Sequence, residues 1–444
     1  MSVRLIVVLA VIGLCFAVAG CGDDVVPLVD AGAADSGPVG NSLTVLAFET
    51  IGRVAMPISG ATVALDQVGA ARMEQTTGAD GKTTFVGVDL AAGASVTAAA
   101  GPDRAIRSAT FSEAELPGLQ TLGLANAAGE ITLELTPLAP PDSITLSGTA
   151  TGLADNGHLF MVSALAPGAN PPAEHAGPSW SLSMPSTADP FPMVACEYMR
   201  FPGTTSPRGS ELTVFAWLLQ SQAAVSADAT IDIDMSTASE TPAPYAGSFT
   251  IPTGGFFDEA RASMSIRTAP ALGSAIIGNT RRIDISADGT AFDYEGEAIT
   301  VAGATDLYTQ IILAKTPQFS MAYLRGDLRT GAHDPALLEP PEPTSPAFGV
   351  DHPLHAPITW ISRDANAMFN LSLMRGSGTN AVIVWRLSVP TGSRQAAFPQ
   401  LPSTVDAAAL FSDIVDARIN ACDYSAEEQR CLRSAVARAF TLTP

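Results

Sequence analysis

The chain has 444 residues, of which 23 are lysine or arginine and 44 are aspartate or glutamate, so its formal net charge at pH 7 is −21. Phosphate backbones repel so acidic a protein, which argues against a nucleic-acid partner. The composition also offers no basic patch for anionic lipid headgroups. The length is enough for two to four domains, and the hydrophobic content of 47% is enough for sizeable cores.

The beginning of the chain has the features of an export signal. Arg4 precedes an uncharged apolar run over residues 5–19, which is too short for a membrane span. The run ends in Val-Ala-Gly-Cys at residues 18–21, and this sequence resembles the lipobox of bacterial lipoproteins. The resemblance implies that cleavage removes residues 1–20 and that Cys21 receives a diacylglycerol and a further acyl chain such as palmitate. An ordinary cleaved signal with a chance cysteine is the alternative.

A lipidated N-terminus makes the membrane the predicted partner, because two or three acyl chains anchor a protein durably whereas one binds reversibly. In enteric bacteria an acidic residue directly after the cysteine favours the inner membrane. Gly22 occupies that position, so the outer membrane is favoured. Residues 21–42 are rich in glycine, alanine, aspartate and serine, and this composition predicts a flexible tether.

Residues 43–136 are predicted to form a β-sandwich, because short runs alternate apolar and polar residues around turns that contain glycine. Three motifs resemble the carboxypeptidase regulatory-like domain: Pro-x-x-Gly-Ala-x-Val at residues 57–63, Thr-x-Gly-x-Asp-Gly-x-x-x-Phe at residues 76–85 and Leu-x-Leu at residues 133–135. The resemblance implies a small prealbumin-like sandwich that accompanies other domains. It implies no catalytic residue, because this domain carries none.

Proline-rich stretches divide the rest of the chain. Between the stretches at residues 137–141 and 339–346, strand-like runs predict a β-rich region over residues 143–338, as one large unit or as two smaller sandwiches. Residues 356–402 add strands of a further sandwich, or of one to which the chain returns. The expected fold class is therefore mainly β, with tandem immunoglobulin-like or prealbumin-like sandwiches.

The end of the chain changes character, and residues 403–440 are predicted to form a short helical hairpin. Apolar residues recur at helical spacing over residues 411–419. Ser425 and Glu428 then have the spacing of a capping box at the start of a second helix.

The cysteines are expected to take three different states. Cys15 lies in the apolar core of the signal and leaves with it, while Cys21 carries the lipid. Cys422 and Cys431 are close in sequence, and an oxidising envelope compartment permits disulfides, so we expect these two to pair. Cys196 would then remain as a buried thiol.

The sequence lacks the motifs of the common enzyme classes. None of the five histidines is followed by a glutamate three residues later, so the metal site of a zinc carboxypeptidase is missing. No Gly-x-Ser-x-Gly nucleophile elbow, phosphate-binding loop or dinucleotide-binding glycine motif occurs either. The sequence therefore predicts no enzyme, no catalytic residue and no cofactor.

Two segments still combine side chains that bind metals. Residues 351–355 read Asp-His-Pro-Leu-His, so that His352 and His355 supply imidazoles beside a carboxylate; a solvated loop is the simpler explanation. Asp232 and Asp234 alternate along an apolar run and would share one face of a strand, where their carboxylates have the ligand chemistry of a calcium site. A polar sheet face explains them more simply, and the sequence predicts no metal.

The leading interpretation is a non-enzymatic envelope protein that presents β-sandwich domains for binding or structural contact, with an envelope protein or a glycan as partner. The first alternative is a carbohydrate-binding or adhesive surface protein. It needs two or more of the four tryptophans exposed on one face: Trp180, Trp217, Trp360 and Trp385. The second alternative is an enzyme with an unrecognised site in residues 143–400, which needs a deep pocket with converging carboxylates or histidines.

Overall fold

The structure is a computed structural model that describes residues 42–51, 54–138, 143–155, 157–166, 169, 173–187, 189–200, 212–250, 262–268, 275–286, 290–314, 319–329, 337–347, 352–362, 367–375, 382–411, 414–425, 430–440 and 442–443. Across these residues the chain is mainly β, as the sequence predicts. The described helices are short: α1 (Leu116–Leu119), α2 (Ala407–Phe411) and 3₁₀ turns at Glu113–Glu115 and Met235–Thr237. The described residues divide into two compact units, one within residues 143–338 and one within residues 42–138, 339–375 and 382–443.

Eight strands build the first sandwich: β1 (Ser42–Ile51), β2 (Val54–Pro57), β3 (Thr62–Gln67), β4 (Met73–Thr76), β5 (Lys82–Val86), β6 (Ala94–Ala99), β7 (Ile106–Phe111) and β8 (Ile131–Glu134). In one sheet β2 and β5 pair antiparallel with β1, and β8 runs parallel to β1. The other sheet has the order β4-β3-β6-β7. Alternate residues such as Val63, Leu65 and Phe85 lie in the shared core. The β fold predicted for residues 43–136 is confirmed, whereas the family resemblance stays a prediction.

Gly81 lies where the turn between β4 and β5 approaches the β1–β2 pair. Its φ is +74°, and an added Cβ would lie 2.6 Å from the carbonyl oxygen of Ala47 and 2.8 Å from Cβ of Pro57. Gly87, at the other end of β5, has a similar φ of +71°, but the space around its Cβ position is open. The two glycines therefore share a backbone requirement and differ in packing.

We expect Gly81→Ala to lower the free energy of unfolding by about 1–3 kcal/mol more than Gly87→Ala does. Both variants carry the cost of a left-handed alanine, about 1–2 kcal/mol, but only the change at Gly81 adds a steric overlap. Urea denaturation followed by circular dichroism measures both values. Equal losses in the two variants would contradict the packing of this turn on β1 and β2.

The second group of strands also forms a sandwich: β9 (Ser143–Thr151), β10 (Leu159–Ala164), β11 (Ala173–Ala176), β12 (Ser179–Pro185), β13 (Phe191–Arg200), β14 (Leu212–Gln222), β15 (Ala229–Thr230) and β16 (Ile233–Asp234). One sheet has the order β11-β10-β13-β14. The other places β9 between β12 on one edge and the parallel strands β15 and β16 on the other. Phe160, Trp180 and Met193 contribute to the core between the two sheets.

A single antiparallel sheet follows: β17 (Ala243–Thr250), β18 (Ala262–Thr268), β19 (Ile276–Ile285), β20 (Ala291–Ala298), β21 (Leu307–Ala314) and β22 (Phe319–Arg325). Their order is β17-β20-β19-β18-β21-β22. Tyr245 faces Gly296 and Tyr294 faces Gly247 across β17 and β20, so each ring covers a glycine that has no side chain to pack. The described part of residues 143–338 thus holds one sandwich and one six-stranded sheet.

The last strands bring the chain back to the first sandwich: β23 (Glu342–Ser345), β24 (His352–Pro353), β25 (Ile358–Ile361), β26 (Met368–Arg375), β27 (Val382–Val389), β28 (Gln395–Ala396), β29 (Ile414–Ser425), β30 (Arg430–Phe440) and β31 (Leu442–Thr443). Because β27 pairs in parallel with β7, the sheet extends to the order β4-β3-β6-β7-β27-β26-β29-β30. Strands β23, β25 and β28 form a small separate sheet, and β24 pairs with β31. Of the two possibilities for residues 356–402, the structure has the returning one.

Arg72 ties the returning chain to the turn between β3 and β4. Its Nη1 and Nη2 atoms donate to the carbonyl oxygens of Gln400 and Leu401 at 3.1 and 2.8 Å. The Ser403 hydroxyl donates to Oε2 of Glu74 at 2.5 Å. This hydrogen bond is the main reason that the pKa of Glu74 lies below its ordinary value, because it favours the charged carboxylate.

The helical hairpin predicted for residues 403–440 is wrong. Strands β29 and β30 form an antiparallel hairpin there, β29 also pairs with β26, and α2 is the described helix of this segment. Consecutive residues of β29 from 417 to 422 are buried, so both faces of the strand are apolar or enclosed. The sequence-based prediction rested on the helical spacing of Phe411, Ile414, Val415 and Ile419 and overlooked the polar/apolar alternation over residues 416–421, which is typical of a strand. Glu428 of the expected capping box lies outside the described residues.

Candidate functional site

Cys21, the predicted lipidation site, lies outside the described residues, as do the signal over residues 1–20 and the tether up to residue 41. The anchor therefore stays a prediction from the sequence. No helix in the described part of the chain is both long enough and apolar enough to cross a membrane.

The three remaining cysteines lie in two places. Cys422 and Cys431 are joined by a disulfide across the β29–β30 hairpin, with Cα atoms 5.6 Å apart. Cys196, on β13, is a buried free thiol. Burial raises the pKa of the Cys196 thiol well above its ordinary value, and the nearby carboxylates of Glu297 and Glu197 raise it further. A thiol that stays protonated at neutral pH is a poor nucleophile, so Cys196 is a structural residue.

The two histidines singled out in the sequence contact backbone oxygens. Nε2 of His352 lies 3.3 Å from the carbonyl oxygen of Ala356, and Nδ1 of His355 lies 2.8 Å from that of Phe398. Within the described ranges, no three histidine, cysteine, aspartate or glutamate side chains are grouped so that they could hold a metal ion. The hydrogen bond of His355 joins the loop after β24 to the segment after β28.

The aspartates on and around β15 and β16 hold these strands against β9. Oδ1 of Asp228 accepts a hydrogen bond from the backbone amide of Thr145 at 2.8 Å, and Oδ1 of Asp232 accepts one from Thr149 at 3.0 Å. Asp234 caps the 3₁₀ turn that follows β16. These carboxylates complete the edge of a strand whose amides would otherwise lack partners, which gives them a structural role.

All four tryptophans are buried in the cores, so none of them offers a stacking platform to a glycan. Trp360 packs on Phe369 with ring centroids 5.3 Å apart, and Trp385 packs on Phe398 at 4.9 Å. The structure therefore does not meet the condition that the tryptophan-based carbohydrate interpretation required.

Glu197 is a buried carboxylate that the sequence reasoning missed. It lies on β13, is only 2% exposed, and its Oε1 accepts hydrogen bonds from the Ala154 amide at 2.8 Å and from the Asp155 amide at 3.3 Å. Nδ1 of His158 lies 2.7 Å from the same oxygen. Since a carboxylate only accepts, Nδ1 of His158 carries the hydrogen. Glu197 thus fixes the loop between β9 and β10.

One face of the His158 ring stacks on Phe215, with ring centroids 4.0 Å apart and planes inclined by 13°. Phe215 lies at an irregularity in the pairing of β13 with β14 and is 41% exposed. An imidazole between a buried carboxylate and an aromatic ring is held in one orientation. His158 thus connects the β9–β10 segment to β13 through Glu197 and to β14 through Phe215.

A cleft of about 440 Å³ opens at one end of the first sandwich. We call it the Arg104 cleft, and its lining consists of Glu49, Pro57, Ile58, Ser59, Gly60, Ala100, Gly101, Asp103 and Arg104. Loops at the end of a rigid sandwich are a common place for binding sites, and the volume lies in the range of small-molecule pockets. The Arg104 cleft is therefore the candidate functional site.

Arg104 is held between two carboxylates in this cleft. Its Nε and Nη2 atoms donate to the two oxygens of Glu49 at 3.1 and 3.3 Å, and Nη1 donates to Oδ2 of Asp103 at 3.2 Å. The side chain of Glu49 is 14% exposed and that of Asp103 is 70% exposed. The bidentate contact with Glu49 on one side and the single hydrogen bond to exposed Asp103 on the other fix the guanidinium at the cleft surface.

Sequence reasoning missed the Arg104 cleft because its charged residues are about fifty positions apart in the chain. Glu49 lies near the end of β1, whereas Asp103 and Arg104 lie between β6 and β7. Only the packing of the two sheets of the first sandwich brings them together. For Glu197 a signal existed, since a glutamate inside the apolar run of β13 is an unusual core residue.

No protein-family model matches the sequence, and no curated protein matches it. Among solved structures, similarities include a candidate adhesin from Bacteroides ovatus at 9% identity and TM-score 0.16, covering 45% of this chain and 89% of that one. The minor pilin of Streptococcus agalactiae is 12% identical at TM-score 0.17, covering 46% of this chain and all of its own. The TIE protein of Bacillus anthracis is 8% identical at TM-score 0.18, covering 67% of this chain and 49% of that protein. At these TM-scores the similarities support no argument about function.

Proposed function

We propose that this chain is a lipid-anchored protein of the bacterial cell envelope that presents β-sandwich domains in a non-enzymatic binding or structural role. In this proposal acylated Cys21 holds it at the outer membrane, and residues 21–42 tether the first sandwich to the lipid. The lipobox resemblance at residues 18–21 supports the anchor, and the two sandwiches support the presenting role.

One observation supports the non-enzymatic part of the proposal. Side chains of the types that act in catalysis, carboxylates and an imidazole, form hydrogen bonds with backbone groups of the fold. Asp228 and Asp232 complete the edge of β9, Glu197 holds the β9–β10 loop, and His355 contacts a backbone carbonyl. Catalysis needs such groups to converge on a shared pocket with free positions for a substrate. Side chains occupied in this way stabilise the unit in which each of them lies.

Mass spectrometry of the protein purified from membranes tests the anchor. We expect an acylated Cys21 as the first residue and recovery in the outer-membrane fraction. Cys21→Ser should move the protein to the soluble fraction, because no acyl chain can be attached. Cys15→Ser is the matched control, since this cysteine leaves with the signal and its loss should change nothing.

An unmodified N-terminus, or cleavage at another residue, would overturn the anchor. The choice of membrane is tested by a separate variant: Gly22→Asp should shift the protein toward the inner membrane.

Crosslinking the lipidated protein in its own envelope and purifying it tests the binding or structural role of the β-sandwich domains. A defined protein or glycan partner is expected, whereas turnover of a substrate by the purified protein would contradict the non-enzymatic part.

A further inference from the structure

We propose that the Arg104 cleft binds a neutral polyhydroxylated ligand, of the chemical class of sugars. The inference deepens the binding role proposed above and rests on it, because that role places the first sandwich among envelope glycans. It is carried by the hydrogen-bonding groups that Asp103 and Arg104 leave available around a cleft of about 440 Å³.

Donors and acceptors lie side by side in the cleft. Three of the five N–H groups of Arg104 are used by Glu49 and Asp103, so among the described contacts two remain for a ligand. Asp103 keeps Oδ1 as an acceptor beside them, on a side chain that is 70% exposed. A hydroxyl group both donates and accepts, so adjacent hydroxyls can accept from Arg104 while one donates to Asp103.

Ligands of other classes fit this network less well. An anion would approach Arg104 against two carboxylates, in a protein whose net charge is −21. A cation would have to compete for Glu49 with Arg104, because Arg104 already donates two hydrogen bonds to that carboxylate. An apolar ligand would meet a lining in which charged and small residues predominate over large apolar ones. A neutral hydroxylated molecule leaves the ion pairs of Arg104 with Glu49 and Asp103 in place.

The backbone around the cleft also leaves space for a ligand. Gly60, with φ of +79°, has nothing within 4 Å of the position that a Cβ would occupy. Thr77 holds the turn that contains Gly60. Its hydroxyl oxygen accepts a hydrogen bond from the Ala61 amide at 2.9 Å, and the hydroxyl donates to the Ile58 carbonyl at 2.7 Å. The open side of Gly60 therefore belongs to a fixed turn. A preorganised site of this kind loses little entropy when it binds.

The test uses the full mature chain in a detergent without a sugar headgroup, so that the detergent cannot occupy the cleft. Saturation-transfer NMR and titration up to ~50 mM, a range suited to weak binding, employ methyl glucoside and N-acetylglucosamine as neutral probes. Arginine amide serves as the cationic probe and inorganic phosphate as the anionic probe. We expect saturable binding of a neutral sugar and none of the two ions.

Two variants locate the binding. Arg104→Lys keeps the charge but loses the forked geometry, and Ala100→Leu fills space in the lining; each should weaken sugar binding by about tenfold or more. Arg72→Lys is the matched control, because Arg72 is also held by two acids, Asp66 and Glu74, and lies outside the lining. Circular dichroism confirms that each variant is folded.

The proposal is overturned if neither sugar binds, if a sugar binds the two cleft variants as tightly as it binds the unsubstituted protein, or if arginine amide or phosphate binds in place of the sugars. These outcomes leave the anchor untouched, because acylation of Cys21 and membrane recovery are measured separately. Conversely, a protein without a lipid anchor that still binds sugar through Arg104 would retain this inference and lose the envelope placement.

Discussion

Trp385→Ala is expected to lower the free energy of unfolding of its compact unit by about 3–5 kcal/mol, as for other large aromatic truncations in a core. Trp385 is fully buried on β27 and packs against Phe398. Its Nε1 donates to the hydroxyl oxygen of Ser108 on β7 at 2.9 Å, and Ser108 shares a further hydrogen bond of 2.8 Å with Thr97 on β6. The side chain therefore joins the returning strands to the first sandwich.

Two smaller changes separate packing from hydrogen bonding at this position. Trp385→Phe keeps most of the ring volume and removes the bond to Ser108, so a loss of about 1–2 kcal/mol is expected. Ser108→Ala leaves the indole N–H without that acceptor and should cost about the same. Urea unfolding followed by circular dichroism gives all three values. A loss under about 1 kcal/mol for Trp385→Ala would show that β27 does not pair with β7 as described.

The pairing of β27 with β7 also marks the limit of what the sequence could predict. Turn motifs at residues 57–63 and 76–85 and alternating strands predicted the first sandwich, because these signals are local. The same local signals identified the strands in residues 356–402. They could not choose between a new sandwich and a return, since Trp385 and Ser108 are separated by 277 positions and no local rule encodes that contact.

The wrong helical hairpin has a related physical cause. Ile419 lies in a strand that pairs with both β26 and β30, and residues 416–421 alternate polar and apolar side chains. The apolar residues Phe411, Ile414, Val415 and Ile419 also fall at spacings that suit a helix, and that spacing decided the prediction. Tertiary pairing then overrides local preference. The expected proximity of Cys422 and Cys431 did not depend on helices, because an antiparallel hairpin brings them together as well.

Candidate site residues were predicted by type, and type alone could not distinguish ligands from scaffold. Asp232 has the chemistry of a calcium ligand, yet its Oδ1 bonds to the amide of Thr149. The polar sheet explanation, which the sequence also offered, was nearer to the structure. Arg104 and Glu197 act through partners that only the fold supplies, and this is why neither was singled out beforehand.

Glu197→Ala is expected to destabilise its unit by about 3 kcal/mol or more, because it leaves buried donors without an acceptor. The affected groups are the amides of Ala154 and Asp155 and Nδ1 of His158. Thermal unfolding and urea denaturation measure the loss. Amide hydrogen exchange should also rise at Ala154 and Asp155, since their amides would lose their acceptor.

Two control variants show whether the carboxylate itself is responsible. Glu197→Gln keeps one oxygen but replaces the other with an N–H₂ group near the Ala154 amide, so a loss of about 1–2 kcal/mol is expected. Asp155→Ala removes a bond of 2.8 Å to the Gly157 amide at an exposed position and should cost less than about 1 kcal/mol. If Glu197→Ala were no worse than Asp155→Ala, Glu197 would not be the group that fixes this loop, and the stacking of His158 on Phe215 would have to account for its order.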